Sequence, residues 1–156
     1  MAYTARLKYT GIAGFELGAT LQHQQDVTQG ISNEASALLM EVHASYSNGP
    51  FGLRALYAEW DIDGTDFKSI GADQQEGWYI EPSYKLTEKL GFFARYSEYN
   101  NKAGSSSSVD TEAWEYGLNY WLHPQVVLKA DYTDFVNDNT GTTDSDALNL
   151  GVGWSF

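Results

Sequence analysis

The chain has 156 residues, a net charge of −12, no cysteine, and no apolar run near the roughly 18 residues a membrane helix needs. These figures fit one domain, exclude a disulfide scaffold or a thiolate site, and argue against a nucleic-acid partner, whose binding rests on basic patches. Aromatic residues make up 15% of the chain, with 11 Tyr and 5 Trp, a richness that suits membrane–water interfaces.

From the first residues onward, apolar and polar side chains alternate with the period of two that marks strands. Tyr3, Ala5, Leu7 and Tyr9 share a face opposite Thr4, Arg6 and Lys8. Phe15, Leu17, Ala19 and Leu21 then oppose Glu16, Gly18, Thr20 and Gln22. Leu38, Met40, Val42, Ala44 and Tyr46 oppose Glu41, His43 and Ser45, and Phe51, Leu53, Ala55 and Tyr57 oppose Gly52 and Arg54. Trp78, Ile80, Pro82, Tyr84 and Leu86 oppose Tyr79, Glu81, Ser83 and Lys85. Leu90, Phe92, Ala94 and Tyr96 oppose Phe93, Arg95 and Ser97. Trp114, Tyr116, Leu118, Tyr120 and Leu122 oppose Glu115, Gly117 and Asn119. Val126, Leu128, Ala130 and Tyr132 oppose Lys129, Asp131 and Thr133. Last, Leu148, Leu150, Val152, Trp154 and Phe156 oppose Asn149, Gly151, Gly153 and Ser155. The pattern predicts about nine strands of roughly ten residues, long enough to cross a bilayer at a tilt. No 3.6-residue periodicity predicts a helix of consequence.

The connections alternate between short and long. Gly11–Gly14, Ser47–Pro50, Thr87–Lys89 and His123-Pro124 carry turn residues. The long ones, about Asp26–Glu34, Asp61–Glu76, Asn100–Asp110 and Val136–Asp146, are rich in Ser, Thr, Gly, Asn and Asp. That asymmetry is the one expected of outer-membrane barrels. Apolar-face aromatics gather at both strand ends. Tyr9, Phe15, Tyr46, Phe51, Tyr84, Phe92, Tyr120 and Phe156 sit near the short turns, and Tyr57, Trp78, Tyr96, Trp114 and Tyr132 near the long loops. Two girdles around an aliphatic waist are what a bilayer asks for; the alternative, a soluble barrel with these rings in its core, has no use for two belts.

If the apolar face meets lipid, the polar face lines a lumen. It carries the bases Arg6, Lys8, Arg54, Lys85, Arg95 and Lys129 and the acids Glu16, Glu41, Glu81, Glu115 and Asp131, with Glu59 a further candidate. The remaining acids, among them Asp26, Asp61, Asp63, Asp66, Glu76, Glu98, Glu112, Asp134, Asp138, Asp144 and Asp146, fall in the loops, which carry most of the negative charge. The lumenal charges fit either a pore whose facing charges tune ion selectivity or a narrow barrel plugged by salt bridges. Asp61-Ile-Asp-Gly-Thr-Asp66 has the opening spacing of a calcium loop but lacks the closing glutamate, so a solvated loop is the expectation.

One constellation suggests chemistry. Glu41, His43 and Ser45 share a strand face, as do the acid, base and nucleophile of some outer-membrane lipid deacylases. Here they point toward the lumen, away from lipid, and three alternating polar residues are what any lumenal strand carries. With His23 near a loop and His123 in a turn, three scattered histidines make a zinc site improbable. No cofactor or metal is expected.

The chain also resembles a known family. The closing strand Ala147–Phe156, with Tyr9-Thr-Gly-Ile-Ala-Gly-Phe-Glu-Leu-Gly-Ala-Thr20, Gly49-Pro-Phe-Gly-Leu-Arg-Ala-Leu-Tyr-Ala-Glu-Trp60, Gly77-Trp-Tyr-Ile-Glu-Pro-Ser-Tyr-Lys-Leu86 and Tyr120-Trp-Leu-His-Pro-Gln-Val-Val-Leu-Lys-Ala-Asp131, resembles the carboxy-terminal half of the phosphate- and polyphosphate-selective porins. The resemblance implies an all-β, antiparallel, up-and-down transmembrane barrel in the bacterial outer membrane, surrounded by lipid. It implies passive diffusion of anions such as phosphate, and assembly as a homotrimer. The near balance of lumenal charge points to a general porin for small hydrophilic solutes. An odd strand count and the absence of an apolar core in Met1–Arg6 lead to the expectation of the back portion of a larger barrel. The rivals are an eight-stranded barrel over 15–156 that anchors or adheres through its loops, and a lipid A hydrolase using His43 and Ser45.

Overall fold

The computed structural model of the chain describes residues 1–30, 33–106, 110–137 and 146–155. Phe156, the last of the predicted turn-side girdle, and the loop acids Asp138 and Asp144 lie outside these residues. Among the described residues, nine strands form one sheet in sequence order. They are β1 (Ala2–Ile12), β2 (Phe15–Gln24), β3 (Ser36–Asn48), β4 (Phe51–Asp63), β5 (Gln74–Lys85), β6 (Leu90–Asn100), β7 (Thr111–His123), β8 (Val126–Asn137) and β9 (Ala147–Trp154). Every neighbouring pair is antiparallel. β1 pairs β2 from Ala2↔Gln24 to Ile12↔Phe15, so the first residues form a full strand and the eight-strand count is set aside.

The short turns follow from their residues. Gly14 adopts φ +76° and its carbonyl accepts the Ser47 N–H at 2.7 Å; a Cβ there would lie 2.2 Å from the Ser47 carbonyl oxygen. Gly49 takes φ +58° between β3 and β4, a conformation that suits glycine. Pro82 sits inside β5, a position that costs a ladder bond because proline has no N–H. The β5–β6 register runs to Ile80↔Tyr96 and resumes at Ser83↔Phe93, with Pro82 in the gap.

The strands reach farther toward the long loops than the sequence pattern indicates. Asp61 and Asp63 end β4, and Glu76, Glu98, Glu112 and Asp134 lie within β5, β6, β7 and β8 instead of in loops. Continuing main-chain hydrogen bonds carry the ladder past the point where apolar alternation stops. The β4–β5 loop also forms one helical turn, α1 (Thr65–Ser69), where no helix of consequence is expected. Its Phe67 packs with Val27 and Trp60 on the buried Ala35, Ala37 and Ile62, a small apolar cluster at the loop end. At the loop after β2, Asp26 accepts from the Thr28 hydroxyl at 2.7 Å and the Thr28 N–H at 2.8 Å, and these bonds hold its carboxyl below the usual range.

Polarity is inverted relative to a water-soluble protein. Leu118, Leu128 and Val152 are 37%, 39% and 58% exposed, while Glu81, at 1%, is the largest fully buried side chain among the described residues. The loop-side girdle is a run of touching rings, with Trp78 and Tyr96 at 5.4 Å and Tyr96 and Trp114 at 4.8 Å between centroids. At the turn side, Phe51 and Tyr84 meet at 4.8 Å. The sheet has two edges, β1 and β9. In an all-antiparallel sheet of nine, the first and last strands run the same way.

Candidate functional site: the polar face of the sheet

Directly opposed residues on neighbouring strands point to the same side, so the register sorts the polar face into rows. One row runs Arg6, Thr20, Glu41 and Ala58. The next runs Lys8, Gly18, His43, Leu56 and Tyr79. Below it lie Glu16, Ser45, Arg54 and Glu81, and Arg95 and Glu115 face one another farther along. Toward the short turns come Ser47, Gly52, Ser83, Phe93, Gly117, Asp131 and Asn149. The last row is Lys85, Gly91, Asn119, Lys129 and Gly151. All eleven candidate site residues lie on this one face. Glu59 does not: it opposes Met40 and Glu76, which share the apolar face, and it accepts the Tyr57 hydroxyl at 3.1 Å. Alternation is a weak guide at a strand end, where side chains leave the bilayer and an acid no longer has to face inward.

The upper and middle rows pair their charges. Lys8 meets Glu16 at 2.5 Å. His43 contacts Glu41 through Nδ1, and its Nε2 lies 3.2 Å from an Arg6 nitrogen. Its ring lies where a side chain on Gly18 would be, 2.3 Å from a built Cβ. Glu81 is held from both sides: Arg54 donates through Nε at 2.8 Å and through Nη2, and Arg95 donates through Nε at 2.9 Å and Nη2 at 2.5 Å. Arg95 reaches on to Glu115 at 3.4 Å, with its guanidinium 4.7 Å from the Tyr79 ring centre. This alternating chain crosses four strands. Burying Glu81 is tolerable because two guanidinium groups replace the water it loses.

The turn-side rows are different. Among the described residues, Lys85 and Lys129 meet no carboxylate, and Asp131 accepts instead from the Asn149 amide at 2.8 Å. Lys85 rests its ammonium 5.1 Å above the Trp121 ring. Trp121, like Phe93 and Tyr79, is an aromatic ring on the polar side. Alternation assigns Tyr79 and Phe93 to that side, but gives no hint that cross-strand glycines make room for rings. Phe93 lies over Gly117, and Trp121 lies against Gly91.

The constellation of Glu41, His43 and Ser45 does not assemble as nucleophile and base. Both His43 nitrogens turn to Glu41, Arg6 and Glu16, and Ser45 hydrogen bonds to none of them. Asp61, Asp63 and Asp66 do not converge either. Asp63 pairs with Lys68 at 2.7 Å and Asp66 accepts from Asn33 at 3.3 Å. Among the described residues no group of three or more acidic or histidine side chains is placed to hold a metal ion.

Antiparallel up-and-down strands, apolar outside between aromatic belts and ion-paired inside, define the wall of a transmembrane β-barrel. The solved structure of OmpT folded in vitro, an outer membrane protein of Vibrio cholerae, shares the fold at a TM-score of 0.68 and 13% identity. The likeness covers 98% of this chain and 55% of that one, so the chain spans about half the length of the structure it matches. The chain belongs to the Gram-negative porin family, whose model matches residues 1–156, and it resides in the bacterial outer membrane. No curated protein matches it.

Proposed function

We propose that the chain forms part of the wall of a diffusion pore for small hydrophilic solutes, with anions favoured over cations, and that it performs no covalent chemistry. The observation that carries this reading is the charge distribution of the polar face. The middle rows neutralise themselves, while at the turn side Lys85 and Lys129 meet no carboxylate and Asp131 bonds only the neutral Asn149 amide, which leaves one net positive charge there among the described residues. Unpaired cations on a wet wall raise the local concentration of anions, whereas an internally paired row acts as a polar, nearly neutral lining. Phosphate is one anion such a wall would pass.

The open edges belong to the same proposal. An unpaired strand edge in hydrocarbon costs several kcal/mol per unsatisfied group, on the order known for buried polar groups. β1 and β9 run the same way, so closing the wall with antiparallel ladders takes an odd number of further strands. A second copy in the same orientation cannot do this alone, because it would place β9 beside a parallel β1.

Planar-bilayer recording of the folded protein in its closed barrel, with strands pairing β1 and β9 present, tests the reading. Stepwise conductance is expected, with a reversal potential in a KCl gradient displaced to the chloride side. Folded protein that opens no channels would overturn it and favour a wall sealed by the Arg54–Glu81–Arg95–Glu115 chain.

A further inference from the structure

We infer that the turn-side recess of the polar face is a binding subsite for a monosaccharide carrying one anionic group. The inference rests on the pore reading above and names a solute that the pore would hold as it passes. The recess measures about 320 Å³ and spans strands β3 to β7. That lies at the small end of the roughly 300–1,000 Å³ of ligand clefts, so it suits a single ring and not a chain.

Three kinds of group converge there. Ser45, Ser47, Ser83 and Asn119 line the recess, and among the described residues no other side chain engages their hydroxyl and amide groups. Four free donor–acceptor groups around one small volume match a solute with several hydroxyls better than a bare ion, which needs donors only. Two cations border them. Lys85 has no carboxylate partner, and Arg54 spends Nε and Nη2 on Glu81 and leaves Nη1 uncommitted on a side chain 59% exposed. Trp121 and Phe93 line the same volume and supply an apolar flank for the C–H groups of a sugar ring.

The space exists because of glycines. A Cβ on Gly52 would lie 2.5 Å from the Ser83 hydroxyl, and one on Gly91 would lie 3.1 Å from the Trp121 ring. Larger residues at these two positions would fill the floor of the recess. Ser45 and Arg54 come from the edge of the ion-paired row, so the recess begins where that row stops neutralising itself.

The test uses the same closed barrel in planar bilayers, with glucose, acetate, glucuronate and glucose 6-phosphate added in turn. Glucuronate or glucose 6-phosphate should lower the chloride current with a half-effect concentration about tenfold below both glucose and acetate. Whichever of the two blocks at lower concentration identifies the anionic group. Lys85→Gln should bring the sugar acid to the level of glucose, and Trp121→Ala should bring it to the level of acetate. Equal half-effects for sugar acids and acetate would overturn the inference, as would equal half-effects for sugar acids and glucose. Channels that open but show no such ranking sink the subsite and leave the pore. If no channel opens, the pore reading fails, and calorimetry of the same four solutes on the folded protein in detergent decides the subsite by the same tenfold ratio.

Discussion

The ion-paired row and the lysine row lie four residues apart along the strands, about 13 Å, on one face of one sheet, yet they solve opposite problems. The chain Arg54–Glu81–Arg95–Glu115 consumes its charges internally and ties β4, β5, β6 and β7 together. The row of Lys85 and Lys129 leaves its charges to the solvent and stabilises little. Charge on a strand face therefore says nothing by itself about function. What matters is whether a complementary group stands in the adjacent register position.

The largest effect should come from breaking the first row. Glu81→Ala leaves two arginines facing each other with no carboxylate between them, at a cost of about 3–5 kcal/mol if the site behaves as a buried pair with one partner removed. Urea titration of the protein folded into vesicles reads that loss; a change under about 1 kcal/mol would mean that water compensates the arginines. A cation placed on the outer face sharpens the contrast with the inner one. Leu118→Arg should cost about 2–4 kcal/mol near the bilayer midplane, whereas Asn149→Arg on the polar face should leave the midpoint nearly unmoved. Equal costs at the two positions would refute the inverted polarity.

The second row should behave in the reverse manner. The double change Lys85→Gln and Lys129→Gln should alter stability by no more than about 0.5 kcal/mol, as for ordinary surface sites. It should move the reversal potential in a salt gradient toward the cation side. The smallest effect concerns pH at the loop end. Asp26 titrates lower in the folded loop than in an unfolded chain, so its contribution is present above the ordinary aspartate range near pH 4 and is lost as pH falls through the folded value. Thr28→Val removes the hydroxyl bond, the largest cause, and should raise the Asp26 titration midpoint followed by NMR. An unchanged midpoint would assign the shift to the backbone N–H groups instead.

Much of this was legible in the chain itself. A period of two fixes the face of each residue, so Arg54, Glu81, Lys85 and Lys129 could be placed on one side and Leu118, Leu128 and Val152 on the other before any strand was paired. The rhythm of short and long connections set the up-and-down order. The signal failed at strand ends, because main-chain hydrogen bonding continues where amphipathic alternation stops; hence Glu59 faces out and Glu98 lies in a strand.

Partnership could not be read this way, because it depends on register between strands that are distant in sequence. Nothing in the sequence around Glu81 says that Arg54 and Arg95 will stand on either side of it, or that Lys85 will find only the ring of Trp121. Nor does local composition show that Gly52 and Gly91 lie beneath neighbouring side chains and open a recess. Alternation is a property of one strand and its backbone geometry, so the sequence determined which way each residue points. Neutralisation and cavity shape are properties of three or more strands together, and only the folded sheet decided them.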